Sequence, residues 1–204
     1  MESVDLKGYL IDIKNGKESS FRAFYDYYYP RFYRIAHYYV KKDHLAEEVV
    51  LDVFSKLWQN RKKLPEIKNF RNYGFTMVKN QAINYLNRNK VDLHEIDEYA
   101  ESKMIEYVEP EKIYLGRELA RELEKAICKL PPKCQLIFRM VREDGLKYKE
   151  VAETLDISLK AVENQLSIAM KRIKPVLETY VQGKSRRLKP GSMHDTILSL
   201  LFCL

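Results

Sequence analysis

The residues of this chain best placed to do chemistry lie on one face of a short predicted helix. In GLKYKEVAETLDISLKAVENQLSIAMKRIK, from Gly145 to Lys174, Val162, Leu166, Ala169 and Ile173 recur at spacings of three and four. That spacing defines a buried helical stripe. The opposite side then carries Lys160, Glu163, Asn164, Ser167 and Lys171. These cations, carboxylate, amide and hydroxyl can donate to or accept from base edges and phosphate oxygens. A companion helix is predicted just before it, from about Tyr148 to Leu155, with Val151, Ala152 and Leu155 facing inward. Asp156-Ile157-Ser158 forms the turn, and Ser158 is placed to cap the second helix by accepting a bond from an orphan backbone N–H. Two helices joined by a tight turn, the second presenting polar forks and cations, fit the DNA major groove. An ordinary helical hairpin with a solvated face has the same pattern, so other features must separate the two readings.

The charge distribution is the first of these. The chain has 204 residues, 46% hydrophobic and 32% charged, enough for one domain or two small ones with buried cores. Its net charge of +7 is segregated. Residues 1–90 hold 17 Lys/Arg against 10 Asp/Glu, residues 91–111 hold Lys103 against eight acids, and residues 112–204 hold 18 against 11. Two basic blocks therefore flank an acidic connector. Basic surfaces speed encounter with phosphate backbones and supply salt-dependent affinity.

Helical periods and helix formers dominate the pass along the chain, and no strand pattern of useful length occurs, so the expected class is all-α. Residues 3–14 suggest a short helix ended by Asn15-Gly16. Ten aromatic residues fall between Phe21 and Tyr39. Their density on both sides of the helix argues for core packing more than for stacking on bases. Pro30 is expected to kink or divide this helix. A helix from Asp43 to about Asn60 has Leu45, Val49, Val53, Phe54, Leu57 and Trp58 as its stripe, and its early acids suit the helix dipole. The segment RKKLPEIKN reads as a cationic loop. It leads into a helix ending near Asn89, in which Gly74 costs about 1 kcal/mol relative to alanine. Further helices are expected from about Ile113 to Leu130 and from Lys133 to Arg142.

Several classes find no support. Cys128, Cys134 and Cys203 show neither zinc nor disulfide spacing. The histidines His37, His44, His94 and His194 are scattered, and no nucleophile–base pair or phosphate-cradling glycine loop occurs. No enzyme, metal, cofactor or small-molecule substrate is therefore expected. The absence of a leader or spanning segment in the sequence suggests a cytoplasmic protein.

The order of these elements resembles extracytoplasmic-function (ECF) sigma factors of RNA polymerase. LAEEVVLDVFSKLW resembles their polymerase-binding helix. The next helix, with Lys79-Asn80 followed by Ala82-Ile83-Asn84, resembles their −10 element helix. LPPKCQLIFRMVREDGLKYKEVAETLDISLKAVENQLSIAMKRI resembles their −35-binding domain. The resemblance covers about residues 20–90 and 112–175. It implies two helical domains, a region 2 bundle (1–90) and a region 4 helix-turn-helix domain (112–180), joined by the acidic linker 91–111; a tail, 181–204, lies beyond the resemblance.

By that resemblance, Glu47, Glu48 and Asp52 face basic groups on the clamp helices of the largest polymerase subunit. Leu51 stands where the family usually has glutamine and offers an apolar contact there. The Arg61–Asn69 loop corresponds to the family loop that receives a base flipped from the melted −10 strand, and Asn80 lies near that pocket. Lys62, Lys63, Lys68, Arg71, Lys79 and Arg88 are the implied phosphate contacts. Gly74 replaces a usually large apolar residue, which implies a less tightly fixed helix. In the second domain Ser158, Lys160, Glu163, Asn164 and Ser167 face the −35 bases, Lys171 and Arg172 grip phosphates, and the domain also binds the flap of the second-largest subunit. An anti-sigma factor is the further partner the family implies. The linker either threads the polymerase channel or simply spaces the domains. The tail, basic and then apolar, could pack on a domain, contact an inhibitor or anchor weakly at a membrane surface, packing being preferred. The competing reading is a free-standing helix-turn-helix regulator that acts without polymerase.

Overall fold

The structure, a computed structural model, describes residues 3–89 and 116–185, in two separate compact units. The connector 91–111 lies outside the described residues, as does the tail beyond Ser185. Among the described residues the regular structure is helical throughout, and no helix is long and apolar enough to cross a membrane.

The first unit contains α1 (Ser3–Lys14), α2 (Glu18–Val40), α3 (Asp43–Gln59), a 3₁₀ turn (Arg61–Glu66) and α4 (Phe70–Asn89). Helix α2 packs on both α3 and α4, which also pack on each other, while α1 lies against α2 and the 3₁₀ turn. Phe24, Tyr28 and Phe32, four residues apart on α2, are all buried. Their rings meet Phe54 of α3 and Phe70 and Phe75 of α4. Phe24 lies edge-on to Phe70 at 5.2 Å, and Phe32 lies edge-on to Phe75 at 5.8 Å. Such pairs contribute roughly 0.5–1.5 kcal/mol beyond the area they bury. Tyr25, Tyr29 and Tyr33 form a second, half-buried column on the outer side, with centroids 5.2 and 6.2 Å apart. The aromatic run is thus chiefly packing.

Pro30 does not divide α2, which runs unbroken to Val40. An interior proline costs about 3 kcal/mol, but the rings of Tyr28 and Phe32 anchor the helix on both sides of it. Helix α2 ends where Lys41 turns left-handed (φ 58°) and its N–H bonds the His37 carbonyl at 2.9 Å. The segment read as a loop after α3 is largely the 3₁₀ turn. Leu64 plugs it into the core, and the Arg61 guanidinium lies 4.7 Å from the Trp58 ring centroid while donating to the Trp58 carbonyl at 3.1 Å.

The second unit contains α5 (Gly116–Cys128), α6 (Pro132–Arg142), α7 (Tyr148–Leu155) and α8 (Leu159–Ser185). Helices α5, α6 and α7 each pack on α8. The core joins Leu123 and Ile127 to Ile137 and Met140, to Val151 and Leu155, and to Val162, Leu166, Ala169, Ile173 and Leu177 of α8. Arg139 is buried on α6 and bonds both Glu124 of α5 and Glu143 just past the end of α6. Helix α8 is longer than the sequence suggests. It continues through the exposed Pro175 to Ser185, so the residues assigned to the start of a tail at 181 are helical. Leu177, one turn beyond Ile173, continues the buried stripe and holds the helix across the proline.

Gly74 reverses its expected meaning. A Cβ there would stand 2.8 Å from Phe32 Cζ and 3.2 Å from Phe32 Cε1. The missing side chain therefore lets α4 approach α2 closely, and the helix is held where a loose one was expected. The Phe32 ring is fully buried against Phe54 and Phe75 and has little room to retreat. Gly74→Ala is predicted to destabilise the protein by about 1 kcal/mol in urea unfolding. Overpacking of roughly 1–3 kcal/mol outweighs the helix-propensity gain of about 1 kcal/mol. A stabilised variant would refute this account of the close approach.

Candidate nucleic-acid interface

In the second unit, local backbone chemistry shapes the two-helix element. Gly145 takes a positive φ of 68°, and the Glu150 carboxylate accepts the Lys147 N–H at 2.7 Å, closing the start of α7. Asp156 ends α7 in the left-handed region (φ 51°), a conformation that short polar side chains tolerate. The N–H of Asp156 and that of Ile157 both bond the Ala152 carbonyl. Ser158 Oγ then accepts the Ala161 N–H at 3.1 Å, as its position before α8 predicts.

With that entry angle, α8 buries Val162, Leu166, Ala169 and Ile173, and leaves Lys160, Glu163, Asn164, Ser167, Lys171 and Arg172 exposed. Lys160 pairs with Glu163 at 3.2 Å. An exposed pair of this kind contributes about 0–1 kcal/mol, so it does little to fix either side chain. Arg172 reaches the Lys129 carbonyl at 3.4 Å, which ties one of its donors to the end of α5. The same side of the unit exposes Ile168, an apolar residue that a search for polar groups passes over.

In the first unit, Glu47, Glu48, Leu51 and Asp52 all lie exposed on α3, with Leu51 at 55%. Two of the acids are held from α4. The Tyr85 hydroxyl donates to Glu48 Oε2 at 2.8 Å, and the Gln81 amide donates to Asp52 Oδ2 at 2.8 Å. Sequence reading missed both partners. A polar residue and an aromatic four apart on α4 match two acids four apart on α3, but the match has meaning only once the helices are docked.

The cations around the 3₁₀ turn and α4 divide into groups. Lys62, Lys63, Lys68 and Arg88 are exposed, as is Asn80. Arg71 is half-buried and bonds the Tyr28 hydroxyl. Burial pushes that phenol well above its usual range, so it stays neutral and available as an acceptor. Lys79 departs from the expectation. It is only 6% exposed and is engaged within the fold, so it is not an accessible phosphate contact. The reason is its place on α4: with Phe75, Val78 and Ala82 it falls on the inward stripe, while Asn80 next to it points out. At the start of α4, Asn69 Oδ1 accepts the Asn72 N–H at 3.2 Å, fixing the join between turn and helix.

The first unit exposes acids on α3 and cations on the 3₁₀ turn and at the ends of α4, and the second exposes a polar and cationic face on α8. Comparison with known proteins gives the family. The Sigma-70 region 2 family model matches residues 24–91, and the Sigma-70 region 4 model matches residues 120–173. The chain is similar to the ECF RNA polymerase sigma factor SigW of Bacillus subtilis, at 21% identity over 169 residues, 79% of this chain and 90% of that protein. It is also similar to the ECF RNA polymerase sigma factor SigE of Mycolicibacterium smegmatis, at 22% over 148 residues, 72% of this chain and 57% of that protein. Among solved structures, CnrH in complex with the cytosolic domain of CnrY aligns with a TM-score of 0.45 and 18% identity, over 85% of this chain and 97% of that one. The chain belongs to the ECF sigma factors of the sigma-70 family. It is an alternative sigma factor that directs RNA polymerase to promoters, and it is not an enzyme. The free-standing regulator is not favoured, because region 2 is present.

The cap at Ser158 yields a local test. Ser158→Ala removes an acceptor worth about 1 kcal/mol, so amide exchange in the first turn of α8 is predicted to speed about fivefold. Ser158→Asp, an equally good cap, is predicted to keep it slow. Equal exchange in all three proteins would show that the hydroxyl does not set this end of α8.

Proposed function

We propose that the α3 face carrying Glu47, Glu48, Leu51 and Asp52 docks on the basic clamp helices of the largest polymerase subunit. The carboxylates meet cations there, and the exposed Leu51 adds an apolar contact. The segment Arg61–Asn69 takes up a base flipped from the −10 strand, and the Asn80 amide reads its edge, since an amide both donates and accepts. Lys62, Lys63, Lys68, Arg71 and Arg88 hold the adjoining phosphates. Lys79 is left out of this set.

In the second unit Lys160, Glu163, Asn164 and Ser167 read the −35 element, with Ser158 at the mouth of the helix and Lys171 and Arg172 on phosphates. The same unit meets the flap of the second-largest subunit. An anti-sigma factor restrains the protein in the cytoplasm until it is needed, as membership of the family suggests. The observation that carries this reading is that one bundle exposes acids on α3 and also exposes the Asn80 amide and the cations Lys62, Lys63, Lys68 and Arg88. One small bundle can thereby bind polymerase and melted DNA on separate surfaces.

Two measurements test it. Asn80→Ala, assembled with core polymerase on a mapped promoter, is predicted to reduce open-complex formation about fivefold or more while closed-complex affinity changes less than about twofold, as loss of one base-edge contact of about 1–3 kcal/mol requires. Equal loss in both would sink the flipped-base role. Lys62→Ala with Lys63→Ala is predicted to lower the slope of log affinity against log salt for a −10 single strand by about 1.4, or about 0.7 per phosphate. An unchanged slope would place those lysines off the DNA.

A further inference from the structure

Asp52 and Lys56 lie four residues apart on α3, acid first, the arrangement that most favours an ion pair along a helix. They do not pair directly. The Gln81 side chain enters between them from α4: Lys56 Nζ donates to Gln81 Oε1 at 2.5 Å, and Gln81 Nε2 donates to Asp52 Oδ2 at 2.8 Å. An ammonium can only donate and a carboxylate can only accept, so these partners alone fix which way the amide faces. Gln81 is only 8% exposed and sits at the base of the arrangement, while both charges above it stand exposed. One helical turn away, the Tyr85 hydroxyl bonds a single oxygen of Glu48 in the same manner. Among the described residues the second oxygen of each acid has no bonded partner.

We infer that Gln81 is a positioning residue for polymerase docking. Standing between Lys56 and Asp52, it prevents the intrahelical ion pair, fixes the Asp52 rotamer through Oδ2 and leaves Oδ1 for a cation on the partner. The amide carries no charge and need not touch polymerase; it acts through Asp52. The inference deepens the proposed docking role of α3 and rests on it. Its physical basis is that a carboxylate already neutralised by a neighbour on its own helix gains little from a second cation, whereas one held by a neutral donor keeps its full charge and loses less rotamer freedom on binding.

The test titrates full-length protein against core RNA polymerase, with Asp52→Asn, Gln81→Met, Lys56→Met and the double variant Gln81→Met/Lys56→Met. Asp52→Asn is expected to weaken binding about tenfold, as loss of a charge-assisted contact implies. Gln81→Met, of similar length and helix propensity, is expected to weaken it about fivefold as Lys56 collapses onto Asp52. Lys56→Met alone should bind like the native protein, and the double variant should return to within about twofold of it, because the competing cation is gone. A purely structural role for Gln81 predicts no recovery, since removing Lys56 cannot restore lost packing; that result would overturn the inference. So would native affinity in Gln81→Met while Asp52→Asn is weakened. Native affinity in Asp52→Asn would instead overturn the docking role of α3, and this inference with it.

Discussion

The column of rings that α2 presents through Phe24, Tyr28 and Phe32 sets the register of the other helices in the first unit. Phe54 of α3 and Phe70 and Phe75 of α4 lie against that column, and α4 comes close enough only because Gly74 has no side chain beneath the Phe32 ring. Aromatic pairs have directional geometry, so a column of them specifies rotation and height as well as contact. That constraint brings Gln81 and Tyr85 level with Asp52 and Glu48, and turns Lys79 inward and Asn80 outward. The electrostatics of the surface follow from packing beneath it.

The second unit relies on a different device. Helix α8 is aimed by a short turn whose three residues act in succession. Asp156 takes the left-handed conformation, Ile157 closes back on Ala152, and Ser158 caps α8. Arg139 joins α5 to the end of α6 through two carboxylates, and the removal of its charge from water is offset by that pairing. Desolvation works against the charged guanidinium, yet Glu143 and Glu124 together hold its pKa above the ordinary arginine value. The scaffold that carries the polar face of α8 is thus braced by an ion-paired link separate from the turn's own hydrogen bonds.

The two surfaces of the first unit divide by charge. Acids gather on α3, cations on the 3₁₀ turn and the ends of α4, and one polar layer, Lys56–Gln81–Asp52 with Tyr85–Glu48, ties α3 to α4. Net charge by segment foreshadows a nucleic-acid partner, because the basic blocks sum over many residues and survive errors in any one. It does not tell which cations reach solvent. Arg71 is partly occupied by Tyr28, and Lys79 is enclosed altogether.

Features that depend on neighbours along the chain were legible before any fold was known. Helix periods located α1, α3 and α7 almost to the residue, and Ser158 announced its cap. The polar face of α8 could be read off because a helix repeats every 3.6 residues whatever it packs against. Family resemblance added the order of the two domains. Other features join residues far apart in sequence, and these emerged only from the packing. Pro30 and Pro175 pass inside continuous helices because contacts on both sides outweigh a local penalty. Gly74 is a close approach, visible only once Phe32 lies over it. Lys79 is buried because α4 presents that stripe to the core, and Gln81 separates Asp52 from Lys56 because α4 runs beside α3 at that height. Local propensity is a matter of fractions of a kcal/mol to a few per residue, and contacts between helices are large enough to override it.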